Sequence, residues 1–184
     1  MASWIVAVRP AVPAWELRLT EWMNDAPNVV ADLSYPVMQL GTLAGPLVVA
    51  LAILLLRGDR RMALATVLVG LVTWYGAKVV KRIVRRDRPG AFLPDLLIRE
   101  GDGTGFGYLS GHSAVATSAA IMAMVALPRS WRPVPLVLAA LVGIARIVFG
   151  AHLPADVIGG WSFGALMGLG ALTALDALEA RDAV

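Results

Sequence analysis

Five stretches of this chain are apolar and close to twenty residues long: 37–56, 62–80, 111–127, 133–150 and 155–175. A helix needs about 20 apolar residues to cross the hydrocarbon core of a bilayer. The first stretch runs to Leu54-Leu55-Leu56 and stops at Arg57-Gly58-Asp59-Arg60-Arg61, and Pro128-Arg129-Ser130-Trp131-Arg132-Pro133 separates the third from the fourth. Composition agrees: hydrophobic residues make up 58% of the 184, where a soluble domain holds about 45–50%. The mean hydropathy is +0.72. The expected fold class is all-α, an integral membrane helical bundle of about five transmembrane helices. It is expected to form one domain over 1–184, with the bundle at 37–176.

Residues 1–36 read differently. Val12, Trp15, Leu19, Trp22 and Met23 fall on one helical face, and Glu16, Arg18, Thr20, Glu21 and Asp25 fall mostly on the other. This predicts an amphipathic helix at the membrane surface, with tryptophans in the headgroup zone. A helix packed on the bundle fits the same pattern. Arg9 and Pro10 cut the first apolar run short, so it does not read as a signal peptide. Small residues at four-residue spacing, Gly41/Gly45 and Gly164/Gly168, suit close helix packing in lipid. The chain has no cysteine, which removes disulfides and thiolate zinc sites. A formal charge of +3 on a membrane chain points to anionic headgroups or phosphate, with no nucleic acid partner expected.

The segment 81–110 is polar and glycine-rich, and long loops in compact domains tend to be functional. Traced as a zigzag, the second span ends near Lys78 and Lys81, and the third begins at Ser110-Gly111-His112. The fourth ends at Arg146 and His152, and the fifth begins at Asp156. All of these ends lie on one side of the membrane. Ionisable residues within spans are costly and usually functional. The shared end gathers Lys81, Arg88 and Arg146, the chain's two histidines, Asp156 and a Ser-Gly turn at a helix start.

That set suits a tetrahedral oxyanion. Guanidinium and ammonium groups take phosphate oxygens, and the N-terminal N–H groups of the third helix add donors. Phosphoryl transfer needs an in-line nucleophile and an acid for the leaving oxygen. His152 has a carboxylate four residues on, Asp156, one turn away if the helix begins near Pro154. His112 is then free to protonate the leaving group. Arg82, Arg85 and Arg86 read as a basic flank facing headgroups. Gly103–Gly107 reads as a flexible loop, and Ser110 as an N-cap as well as a phosphate ligand.

At these residues the chain resembles the type-2 phosphatidic acid phosphatase superfamily, which is related to the vanadium haloperoxidases. Three motifs occur in order over 81–156: Lys81 with Arg88-Pro89, Ser110-Gly111-His112, and Arg146 with His152 and Asp156. The resemblance implies that His152 forms a phosphohistidine and Asp156 orients it. It implies that His112 acts as general acid and then activates water, and that Lys81, Arg88, Ser110, Gly111 and Arg146 hold the phosphate. No cofactor and no metal are implied, and orthovanadate is expected to inhibit. Leu109 and Ala145 stand where the family commonly has proline and serine.

The expected function is a membrane lipid phosphatase acting on a phosphate monoester or diphosphate, with a polyprenyl carrier favoured. Phosphatidic acid and phosphatidylglycerol phosphate fit the same residues, as do a lipid phosphotransferase and a non-catalytic lipid-binding protein. The expected location is the plasma membrane, with the site outside the cytoplasm. Phe92–Ile98 and the N-terminal helix are expected to rim a lateral opening from the lipid.

Overall fold

In a computed structural model, residues 2–8 and 11–182 are described, and they contain eight α-helices and no strand. Arg9 and Pro10, which break the first apolar run, lie outside the described residues. The helices are α1 (Ala2–Ala7), α2 (Ala14–Asn24), α3 (Asn28–Met38), α4 (Ala44–Arg57), α5 (Arg60–Val84), α6 (Gly111–Ala126), α7 (Pro133–Val148) and α8 (Pro154–Asp182).

Local chemistry sets the boundaries. Gly58 ends α4 in the left-handed region, with φ 66°, and its N–H caps Leu54 O. The next residue, Asp59, starts α5 by accepting from Met62 N at 2.9 Å. Gly58-Asp59 is therefore a complete turn between two helices. At the other end Ser110 caps α6 and Pro154 opens α8.

The protein is an integral membrane bundle. Helix α5, α7 with its leading 3-10 turn, and α8 are each long and apolar enough to span. The first expected span, 37–56, is broken. The chain runs through α3 and a 3-10 turn at Gln39–Gly41, then bends by 69° into α4. Pro36 inside α3 and the extended Thr42 mark the break. The segment 1–36, expected at the membrane surface or packed on the bundle, gives most of α3 to the bundle, where α3 packs on α7.

Helix α6 is the hub, with α4, α5, α7 and α8 packed around it. Every residue from Ser113 to Met122 is buried. Its 16 residues give a length of about 24 Å, short of the ~30 Å hydrocarbon core. At least one end of α6 therefore stops short of the membrane surface. Small residues let α8 approach it: a Cβ on Gly164 would meet Ala114 O at 2.2 Å, and one on Gly168 would meet Ile121 at 2.9 Å.

Helix α2 is amphipathic in the opposite sense from a soluble one. Its buried residues are Glu16, Thr20 and Asn24, while Trp15 is 49% and Trp22 73% exposed. The polar face packs on the bundle and the aromatic face looks outward, as suits a helix whose surroundings are lipid.

Candidate active site

The ends of α5, α6 and α7 meet the start of α8 around a cavity of about 510 Å³. Lys81, Arg88, Gly111, His112, Arg146 and His152 all line it. The near side is formed by Gly41, Thr42 and Leu43 from the broken helix and by Trp74, Ala77 and Lys78 of α5. Phe92–Ile98 is not part of the lining. Leu97 instead pairs with Asn24 of α2, accepting from its Nδ2 at 2.9 Å and donating to its Oδ1 at 2.8 Å.

His152 sits in the short connection from α7 to α8, where its N–H and that of Ala151 are held by Arg146 O. The imidazole is buried, and its Nδ1 lies 3.5 Å from Asp156 Oδ2 with no closer partner. With Nδ1 turned to Asp156, Nε2 is the ring nitrogen left free on a residue that lines the cavity. Burial pushes the imidazole well below its ordinary pKa, and Lys81, Arg146 and Arg88 add to the shift. A neutral ring has the lone pair that a nucleophile needs.

Asp156 is fully buried in the first turn of α8. Its Oδ2 accepts from Leu153 N at 3.0 Å, and its Oδ1 accepts from Arg86 Nη1 at 2.9 Å. Arg86 is therefore not part of a headgroup-facing flank. It is buried, and it also donates through Nη2 to Glu16 Oε2 at 2.5 Å. Glu16 is wholly buried and accepts from Ala155 N at 2.8 Å. A guanidinium between two carboxylates gives each of these buried charges a hydrogen-bonded partner of opposite sign, although the three together keep one net negative charge. Arg82 and Arg85 remain exposed, as expected.

The cations are held in different ways. Lys81 Nζ donates to Phe106 O at 2.9 Å and Gly107 O at 2.8 Å. The end of the glycine run is thus tied to the site and does not form a free loop. Gly107 N donates to Arg86 O at 2.7 Å, and a Cβ there would stand 2.8 Å from Asp156 Oδ2, so glycine is required for this approach. Arg146 is buried, and its Nη1 is shared between Met38 Sδ and the Glu100 carboxylate. Arg88 also lines the cavity, and burial with the nearby Arg146 cation lowers its pKa. Asp156 was expected to be the one carboxylate here, but Glu16 shares Arg86 with it and Glu100 pairs with Arg146.

Ser110 lies beneath the cavity and does not line it. Its side chain is fully buried, accepting from Ser113 N at 3.4 Å and from Ser113 Oγ at 2.9 Å. Its N–H donates to Asp156 O at 2.9 Å, which ties the two motif-bearing turns together. Leu109 packs with Ala7, Ala77, Tyr108 and Ala114, so the turn is anchored where proline is usual. Ala145 faces Ala31, Met38, Val148 and Phe149, and so serves the packing of α3. A serine hydroxyl there would enter an apolar cluster.

Glu16 and Glu100 escape sequence reasoning. Glu16 sits on what looks like the wet face of a surface helix, and Glu100 is one acid in a polar loop. A clue to Glu16 is the i, i+4, i+8 series Glu16, Thr20, Asn24, a polar stripe that needs a partner if the remaining faces meet lipid.

Comparison with known proteins places the chain. An undecaprenyl-diphosphatase from Sulfolobus acidocaldarius is 26% identical over 112 residues, 61% of this chain and 54% of that protein. A decaprenylphosphoryl-5-phosphoribose phosphatase from Mycolicibacterium smegmatis is 33% identical over 84 residues, 46% of this chain and 44% of that protein. The chain thus spans about half the length of these curated relatives. Two solved structures share the fold. The transmembrane PAP2 type phosphatidylglycerolphosphate phosphatase of Bacillus subtilis superposes with a TM-score of 0.77 at 21% identity, covering 95% of this chain and 92% of that one. LpxE of Aquifex aeolicus gives 0.78 at 20% identity, covering 88% and 96%. The PAP2 superfamily pattern matches residues 60–179, a range that holds all three motifs and every helix lining the cavity except the broken one, and the chain belongs to that superfamily.

Proposed function

We propose that the protein is a lipid phosphatase that works through a phosphohistidine on His152. The observation that carries the reading is the His152 imidazole, backed by Asp156 at 3.5 Å, on a cavity shared with Lys81, Arg88, Arg146 and His112. Nε2 attacks phosphorus in line with the leaving oxygen, and the three cations take the charge on the equatorial oxygens. Gly111 supplies an N–H at the start of α6. Ser110 acts through its cap and its bond to Asp156 O. His112 protonates the leaving oxygen and then takes a proton from the water that cleaves the P–N bond.

The substrate is a polyprenyl phosphate or diphosphate in this reading. The relatives named for undecaprenyl diphosphate and decaprenylphosphoryl phosphoribose support that class. The position of the cavity at helix ends also supports it, since a lipid phosphate reaches helix ends while its chain stays in hydrocarbon. Purified protein should release phosphate from a polyprenyl diphosphate in a panel that includes phosphatidic acid and phosphatidylglycerol phosphate, and orthovanadate should inhibit. His152→Ala should abolish turnover, and His112→Ala should slow it by about 10²–10⁴-fold. Folded His152→Ala protein with near-normal turnover would refute the mechanism.

A further inference from the structure

Lys78 is a fourth cation on the cavity, outside the three motifs. It precedes Lys81 by three residues on α5, so the two side chains leave one helix face with Cβ atoms about 5–6 Å apart. Its Nζ stands over the Trp74 ring, 3.3 Å from the centroid, and Trp74 also lines the cavity. Among the described residues no carboxylate pairs with it. A lysine near a helix end commonly reaches for headgroups. This one is held by an indole on the wall of a cavity that has room for more than one phosphoryl group.

We infer that Lys78 and Trp74 form a second anion subsite, which binds the retained phosphate of a lipid diphosphate and so favours diphosphates over phosphate monoesters. The inference rests on the reading of His152 as nucleophile. The terminal phosphate lies among Lys81, Arg88 and Arg146. As the bond from His152 Nε2 to the terminal phosphorus forms, the bond from that phosphorus to the bridging oxygen breaks. The proton of His112 passes to the bridging oxygen, and the lipid monophosphate departs with its charge beside Lys78. Water then cleaves the phosphohistidine, gives its proton to His112 and releases inorganic phosphate. A monoester presents nothing to Lys78, so its charge acts on diphosphates alone.

The test compares farnesyl diphosphate with farnesyl phosphate in detergent. Lys78→Gln should lower kcat/KM for the diphosphate about tenfold more than for the monophosphate, the scale of one charge-assisted hydrogen bond. Lys78→Arg should restore most of the difference. Equal losses on both substrates, as a headgroup anchor would give, overturn the inference, as does an unchanged preference. A calorimetric comparison of a methylene-bridged farnesyl bisphosphonate with a farnesyl monophosphonate needs no turnover. If neither substrate is hydrolysed but Lys78→Gln erases an advantage of the bisphosphonate, the subsite stands and the hydrolase reading falls. If hydrolysis proceeds and no such advantage exists, the subsite alone falls. Inorganic pyrophosphate that competes as well as the bisphosphonate would overturn the assignment to a lipid.

Discussion

At the scale of single residues, the charges farthest from the motifs have the clearest mechanical role. Glu16 bonds both to Arg86, which holds Asp156, and to the Ala155 N–H beside it. It therefore fixes the carboxylate behind His152, the proposed nucleophile, from a helix about 140 positions away in sequence. Glu16→Gln keeps the shape and one acceptor but removes the charge, and should lower kcat about tenfold with KM little changed. Arg86→Met leaves two carboxylates buried without a counter-charge and should cost about 3–5 kcal/mol of stability. Thermal unfolding in detergent beside steady-state kinetics separates the two effects. An unchanged kcat in Glu16→Gln would remove Glu16 from the mechanism. Lys81, Arg88, His112, Arg146, His152 and Asp156 were legible because their spacing puts each at a helix end on one side of the bundle. Arg86 was not, because in a run of five basic residues nothing local distinguishes the buried one from Arg82 and Arg85.

Among the elements, the break between α3 and α4 is what hydropathy alone could not show. The apolar run is continuous there, so the sequence reads as one span. Pro36 and the small residues Gly41 and Gly45 signal a bend only once a partner is known. That partner is the start of α6. A Cβ on Gly41 would lie 2.7 Å from His112 Cβ and 2.8 Å from His112 O. Gly41→Ala must therefore displace His112, and misplacement of a catalytic group by about 1 Å can cost about 10²-fold in rate. The expected result is a fall in kcat of that order with α6 still folded, read by kinetics and circular dichroism. Activity near that of the parent would mean that the contact relaxes elsewhere. Helix α2 shows the same limit of sequence reading. Its amphipathic pattern was evident, but which face turns inward depends on whether the surroundings are water or lipid. The exposed Trp15 and Trp22 and the buried Glu16 resolve that in favour of lipid.

For the whole molecule, two properties follow from how charge is distributed. The carboxylates around the site are committed to arginines, Asp156 and Glu16 to Arg86 and Glu100 to Arg146. Among the described residues no three His, Cys, Asp or Glu side chains gather as a cation site. Phosphate release should therefore survive dialysis against a chelator, and loss of activity restored by added magnesium would contradict this. The second property is orientation. Basic residues that remain on the cytoplasmic side set topology, but only those without another structural duty report on it. At the site end, Lys81, Arg88 and Arg146 line the cavity, and Arg86 is locked between Glu16 and Asp156. Arg99 donates to the carbonyls of Asn24, Ala26 and Val148. Among the described residues that leaves Arg18, Lys78, Arg82 and Arg85 there, with Lys78 itself claimed by the cavity wall. The opposite end has Arg57, Arg60, Arg61, Arg129, Arg132 and Arg181, all in short turns or at a helix terminus, where the bias counts most, and four of them remain once Arg61, paired with Asp182, and Arg132, bonded to Leu127 O, are set aside. On this balance we propose that the opposite end faces the cytoplasm and the phosphate site lies outside. Asp102→Cys and Ser130→Cys provide reporters at the two ends, both at exposed positions in a chain with no cysteine of its own. In intact cells an impermeant maleimide should label Asp102→Cys and leave Ser130→Cys unlabelled until the membrane is opened. The reverse pattern would put the site in the cytoplasm and show that Arg82 and Arg85 outweigh the two arginine-rich turns.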